Sequence, residues 1–570
     1  MCGIAGFTGK LPGSAELLAY ASNALSHRGP DSSGLYISSH AHVGLAHTRL
    51  AIQDLSPHGH QPIQNGDGSV ILIFNGEIYN FKDLRAELEA AGYTFFGHSD
   101  TEVLLNLYLA HRDDADLTAL LRRLNGIFAF ALWDSRSESL WLARDALGVK
   151  PLYYSLENGV FAFASELKAL RYLSLIPETP DYQALDRYLT FLWSPGDRTP
   201  AANIRKLGPG ELLQIQGHDP HIEQHSVWYQ QSRRLACNSS TLINTIRETE
   251  LHLRQAVHRQ MLADVPVGAF LFCGSDSSSI VAFAREITPD LQCFTIDVRQ
   301  AGVDGFSDDL PYARYVARYL GVSLHVVEID AAHIVSEFES MVWHLEEPLA
   351  DLAPLNLLHI CRKAREQGIK VLLSGVGGDD LFGGYRRHLA LDNEKWWRWL
   401  PRPIRLQLRA FSGNMTVSHP LIRRLRKAFS GAHLDSDARL VHYFRWIERA
   451  DLQALYSHSF RSALGQVCAE DPMLDFLASL PSNTPALERM LALEQRYFLP
   501  DHNLTYTDKL SMSVGVEVRT PFLDLDLVDL AGRIPPHYKQ RGRHGKWILK
   551  KAMEPYLPND IIYRPKSGFG

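Results

Sequence analysis

The sequence predicts two domains of different class, an α+β half followed by an α/β half. Three observations carry this reading. The chain has 570 residues, more than one hydrophobic core ordinarily organises. Up to about residue 210, short apolar strands and helical stretches follow one another without a regular rhythm. From about residue 241, short continuous apolar runs are spaced by long helical patterns, as in a parallel sheet covered on both faces.

In the first half "HVGLAHTRLAI", "SVILIFNGEIYNF", "GIFAFALWD", "SLWLARD" and "GVFAFASE" read as strands, because apolar residues run continuously or alternate over short spans. "FKDLRAELEAAG" and "DTEVLLNLYLAHR" carry helical spacing between them. Residues 211–240 turn polar and irregular and are read as a connection. In the second half "VGAFLF", "LQCFTIDV", "LHVVEI" and "IKVLLS" read as buried strands. The expected domains are 1–210 and 241–570, joined by the linker 211–240.

Apolar residues at 45% and charged residues at 21% suit a soluble globular protein. A net charge of −6 argues against nucleic acid as the main partner. The six cysteines (Cys2, Cys237, Cys273, Cys293, Cys361 and Cys468) are scattered without a CxxC pair. They suit neither a disulfide framework nor a zinc site and fit a reducing compartment. No apolar run approaches the roughly 20 residues of a membrane span. A cytoplasmic enzyme acting on small molecules, with no membrane or nucleic-acid partner, is expected. The stretches "KWWRWLPRPIRLQLRA" and "LIRRLRKAFS" are basic with apolar residues at helical spacing. They read as a membrane-surface or nucleic-acid patch, or as an amphipathic helix covering the core. The second reading is adopted.

Cys2 is the first chemical signal. If Met1 is removed, one carbon carries a thiol and an amine of reference pKa about 8, a built-in general base for the nucleophile. "HTRLAI" supplies Arg49, "FNGEIYN" supplies Asn75, Gly76 and Glu77, and "HSDTE" supplies Asp100. Hydrolysis of a free amino acid's side-chain amide needs these residue types. Arg49 can grip an α-carboxylate in bidentate fashion, and Glu77 and Asp100 can receive an ammonium. The Asn75 side chain and the Gly76 N–H can form an oxyanion hole. Together with "SHRGPDSSG" and "RDALGVKPLYY", this half resembles the N-terminal-nucleophile glutaminase domain of class II glutamine amidotransferases, which implies an αββα sandwich.

In the second half "VPVGAFLFCGSDSSSIVAFAR" runs strand, loop, helix, and its backbone N–H groups can cradle an anion. The GK[ST] ending of an ordinary P-loop is absent. The stretch resembles the SGGxDSS pyrophosphate loop of glutamine-hydrolysing asparagine synthetases, as "LLSGVGGDDLFGGY" resembles their second carboxylate-bearing loop. "LTYTDKLSMSVGVEVRTPFLD" and "LPNDIIYRPKSGFG" also resemble family signatures.

The resemblance implies an ATP-pyrophosphatase fold of the adenine nucleotide α-hydrolase type, ATP and Mg²⁺ as cofactors, and a carboxylate acceptor such as aspartate activated as an acyl-AMP. It is compatible with a homodimer. By position, Asp276 and Asp379 would hold Mg²⁺, and Gly274, Ser277, Ser278, Ser374 and Gly375 would line the ATP site. Leu271 would lie against the adenine, and Lys566 would neutralise phosphate charge.

Four letters depart from the family pattern. Phe272 and Cys273 replace Ser-Gly, Ser275 replaces an apolar residue, and Val376 replaces an acid. The sequence stops at Gly570, just after Lys566, where relatives often continue. Two alternatives therefore stand beside asparagine formation. One is the same chemistry on a non-aspartate carboxylate, such as a sugar acid or natural-product intermediate. The other is a glutaminase whose second half is a scaffold.

Overall fold

A computed structural model of the chain describes residues 2–39, 42–113, 117–173, 179–217, 219–230, 241–272, 274–298, 309–413, 422, 426 and 429–564. Two antiparallel six-stranded sheets stack face to face in the first half. In one, strand Cys2–Gly9 lies between Val43–Arg49 and Val160–Ala164. In the other, Val70–Ile78 pairs with Gly126–Asp134, which pairs with Ser139–Arg144. Ile4, Val43 and Leu45 of the first sheet meet Ile71, Ile73, Ala129 and Leu142 of the second in a closed core. Helices Ser14–Ala24 and Leu167–Leu173 cover the outer face of the first sheet. Phe81–Ala90 and Asp100–Ala110 cover the second. This is the expected four-layer αββα arrangement.

The sequence signals for the central strands hold because both faces of each sheet are covered, so their residues are mostly apolar, with the polar ones of Val43–Arg49 and Val70–Ile78 gathered at their carboxyl ends. Residues 211–227 differ from expectation. Glu211–Gln216 and Ile222–Val227 form two strands at the edge of the second sheet. An edge strand with one solvated face carries few apolar residues, and the polar run "HIEQHSV" therefore reads as linker.

The second half contains one five-stranded parallel sheet in the order Ser323–Ile329, Gln292–Val298, Val267–Phe270, Val371–Leu373, Glu517–Arg519. Chain order runs outward in opposite directions from Val267–Phe270. The carboxyl ends of this strand and its neighbour Val371–Leu373 are thus the switch point where ligands bind in such folds. Among the described residues no helix is long and apolar enough to cross a membrane.

Candidate active sites

Cys2 opens its strand directly opposite Arg49 and is buried. Its backbone nitrogen, which becomes the α-amine once Met1 is gone, donates to Asn75 Oδ1 at 3.0 Å. That contact leaves Asn75 Nδ2 buried without a partner among the described residues. Burial pushes the Cys2 thiol up, and a Leu50 backbone contact and the Arg49 charge pull the other way. Gly76 has a packing reason as well. A Cβ there would collide with the Ile127 carbonyl and would stand 2.6 Å from Phe128 Cα.

The Arg49 guanidinium is fixed by backbone carbonyls. It donates to Ser56 and Gln53, each at 3.3 Å, and to Asp54. Asp100, at the start of its helix, accepts from the Ile78 N–H at 2.9 Å. Burial raises its pKa to about 6. Glu77 differs from expectation. It is 3% exposed, takes a hydrogen bond from Gln53 and pairs with Arg519 Nη2 at 3.3 Å. Burial drives its pKa well up against the opposing pull of Arg519. It is thus held by a cation from the second half, whereas Asp100 forms no salt bridge among the described residues.

Sequence reasoning missed the residues that lock this site to its neighbour. Arg28 donates from Nε to the Cys2 carbonyl at 3.1 Å, from Nη1 to Glu166 at 3.0 Å and from Nη2 to Asp508 at 2.7 Å. Burial opposes its charge, but Asp508 and Glu166 prevail and hold it protonated. Lys150 reaches the other Asp508 oxygen at 3.2 Å. Arg28, Lys150 and Asp508 lie inside stretches that carry the family resemblance, yet the pairing of Arg28 and Asp508 spans 480 positions and leaves no periodic trace.

At the switch point, two loops converge. Asp276 stands in the first turn of helix Ser275–Ala284 and Asp379 in that of Gly378–Phe382. Lys546 lies between them, with Nζ 2.7 and 2.8 Å from the Asp276 oxygens and 2.8 Å from Asp379 Oδ1. Burial opposes the ammonium, but the two carboxylates outweigh it and raise its pKa. Glycine permits this approach. A Cβ on Gly375 would stand 2.9 Å from the Ser277 nitrogen, and one on Gly378 would stand 2.8 Å from Asp276 Cγ. Lys546 lies in "GRHGKWILKK", a stretch with no distinctive pattern.

Several expected ATP-site residues stand differently. Leu271 is fully buried in the core and offers no side-chain surface to a base. Beside it the half-buried Phe272 stacks on Phe270 with centroids 6.0 Å apart. Ser277 Oγ turns back onto Phe272, accepting from its nitrogen at 3.1 Å and donating to its carbonyl at 3.2 Å. It closes the loop. Ser278 Oγ is buried with no partner among the described residues. Gly274 caps the helix on its exposed side. Ser374 donates its backbone N–H to the Arg519 carbonyl at 2.8 Å and accepts from the Val376 N–H at 3.3 Å. Arg519 thereby touches both sites. Val376 is half-buried against the core. Cys273 and Lys566 lie outside the described residues.

A sequence model of the asparagine synthase family matches residues 248–570, and one of the glutamine amidotransferase domain matches residues 1–228. The chain belongs to the asparagine synthase family. It is 32% identical to "Asparagine synthetase [glutamine-hydrolyzing] 1" of Bacillus subtilis, over 100% of this chain and 87% of that protein. The same identity and coverage relate it to a putative asparagine synthetase of Mycobacterium bovis. It is 27% identical to "Amidase chry2" of Gibberella zeae, over 100% of this chain and 88% of that protein. As a family member the chain is a carbon–nitrogen ligase that draws its nitrogen from glutamine.

Proposed function

We propose that Cys2 releases ammonia from glutamine and that the Asp276–Asp379 site activates a carboxylate with ATP to capture it. The observation that carries the first step is the Cys2–Asn75 contact. With Oδ1 engaged by the future α-amine, the orphaned Nδ2 is a preorganised donor for an oxyanion, alongside the Gly76 N–H. The amine takes the thiol proton as sulfur attacks the carboxamide, then returns a proton to the departing ammonia. Arg49 binds the substrate's α-carboxylate and Asp100 its ammonium.

Ammonia must then cross to the second site unprotonated, because ammonium is not a nucleophile. The buried Arg28–Asp508–Lys150 and Glu77–Arg519 contacts support this by closing the boundary between the halves against water. The acceptor carboxylate attacks the α-phosphate of ATP, pyrophosphate leaves, and ammonia displaces AMP from the acyl-adenylate. AMP is a far better leaving group than carboxylate oxygen. Asp276 and Asp379 fit Mg²⁺, since they already hold a cation, the Lys546 ammonium, between them. The ion would offset phosphate charge there, and Lys546 and the helix at Ser275 would bind the phosphates.

Aspartate is the acceptor expected for the family. A second reading rests on Val376, which can neither accept a proton from the attacking nitrogen nor pair with an α-ammonium. It favours a carboxylate lacking that ammonium, and "Amidase chry2" is a relative not named for asparagine. Pyrophosphate release with ammonium, ATP and single carboxylates separates the readings. Release with aspartate supports the first, and release only with other acids supports the second. Glutamine hydrolysis without release for any acid would leave the second half a scaffold.

A further inference from the structure

The basic segment after residue 389 does not cover the core as its sequence suggests. Helix Arg402–Gly413 turns Arg405 and Arg409 toward the protein and leaves Arg402 exposed. Arg405 donates to the carbonyls of Leu400, Ala432 and Leu434, and Arg409 contacts His433 at 3.2 Å. Ile404, Leu406 and Phe411 are left facing solvent, Phe411 at 68% exposure. Just before the helix Trp396 and Trp399 are 73% and 72% exposed, whereas Trp397 between them is buried. The Trp399 indole N–H donates to the Trp396 carbonyl at 3.0 Å, so its polar edge is satisfied and its ring is left to an apolar partner. Exposed Lys395, Arg398 and Arg402 rim the aromatics. From Lys395 to Gly413 the sequence holds five Lys and Arg and no Asp or Glu, in a chain of net charge −6.

We propose that this face docks on an anionic phospholipid bilayer. Aromatic and aliphatic side chains rimmed by cations match an interface where acyl chains lie beneath negative headgroups. Nucleic acid fits less well, because Arg405 is spent on carbonyls and Arg409 on His433, and the exposed aliphatics have no use against phosphate or stacked bases. The inference concerns a surface apart from both sites and stands whichever acceptor is used.

The test is cosedimentation of the full chain with vesicles of phosphatidylcholine alone or mixed equally with phosphatidylglycerol. Binding to the anionic vesicles should be at least about tenfold stronger and should weaken with added salt, as the Debye length shrinks toward about 3 Å at 1 M. Trp396→Ser/Trp399→Ser/Phe411→Ser should lower partitioning on the order of 100-fold while circular dichroism and the thermal melt stay unchanged. Arg398→Glu/Arg402→Glu should erase the preference for anionic lipid. Equal binding to both vesicle types would overturn the proposal. So would tighter binding to a single-stranded RNA than to vesicles, or a lipid-free dimer that the triple variant converts to monomer.

Discussion

The two sites solve opposite electrostatic problems. Around Cys2 the groups come from different elements, Cys2 and Arg49 on adjacent antiparallel strands, Asn75 on a strand of the other sheet and Asp100 at a helix start, and each is fixed by backbone. Asn75 is held by the Cys2 nitrogen, Arg49 by carbonyls and Asp100 by an N–H. Little need move when a zwitterion enters. At Asp276 and Asp379 two like charges are forced together on loops, and Lys546 must neutralise them. On the function proposed above, the first site would suit a neutral amide, and the second, a cation-held pair, would suit a polyanion. Sheet ends supply precision, and paired loops supply charge that substrate and metal can rearrange.

The sharpest break between the halves is Cys2→Ala. Glutamine-dependent product formation should fall by about 10⁴-fold or more, while ammonia-dependent synthesis continues, measured side by side on folded protein. Loss of both would mean that the halves do not divide the labour. Next is Val376→Glu, which tests whether the second site lacks a base. Asparagine formation from aspartate and ammonia should rise, by as much as about 10²–10⁴-fold. A brisk wild-type rate that the substitution does not raise would show that Val376 is no defect.

Lys546→Ala probes the charge problem directly. Two carboxylates without their cation should destabilise the fold by about 3 kcal/mol. Mg²⁺ should restore the variant's melting temperature more than it raises that of wild type. A melt indifferent to Mg²⁺ in both proteins would refute the cation-held pair. Arg49→Ala should cost about 1.5–3 kcal/mol in glutamine binding, visible as a raised KM with kcat little changed.

The smallest effect is a pH dependence. With its pKa raised to about 6, Asp100 is largely protonated at pH 5 and ionised at pH 7. The glutamine KM should fall about tenfold across that interval as the ammonium gains its partner. The sign for stability is opposite. Asp100 favours the fold most below its unfolded value near 3.8, and that contribution is lost as pH rises to about 6. Asp100→Asn should flatten the KM profile, and a profile unchanged by it would return Glu77 as the ammonium receptor.

The parts legible beforehand were those in which a short window carries its own signal. Strand Gly126–Asp134 and helix Phe81–Ala90 coincide with the runs that announced them. Asp276 and Asp379 lie in glycine-rich loops whose letters survive without context. The edge strand Ile222–Val227 was not legible, because a half-solvated strand is written largely in polar residues, and its neighbour Glu211–Gln216 was lost with it. The helix Arg402–Gly413 misled in the other direction. Amphipathic spacing gives the division into two faces but not which face turns inward, and here carbonyls at 432 and 434 claim Arg405 while His433 takes Arg409.

The sequence by itself determined the two fold classes, and it named Cys2 and the pair of carboxylate loops as candidates. Each depends on residue type and local spacing, which the chain states directly. Only the tertiary structure decided that Glu77 belongs to Arg519, that Asp508 joins Arg28 to Lys150, and that Lys546 stands between Asp276 and Asp379. These partners lie hundreds of residues apart, and a buried charge takes whichever opposite charge the packing brings within reach. No local pattern records that choice.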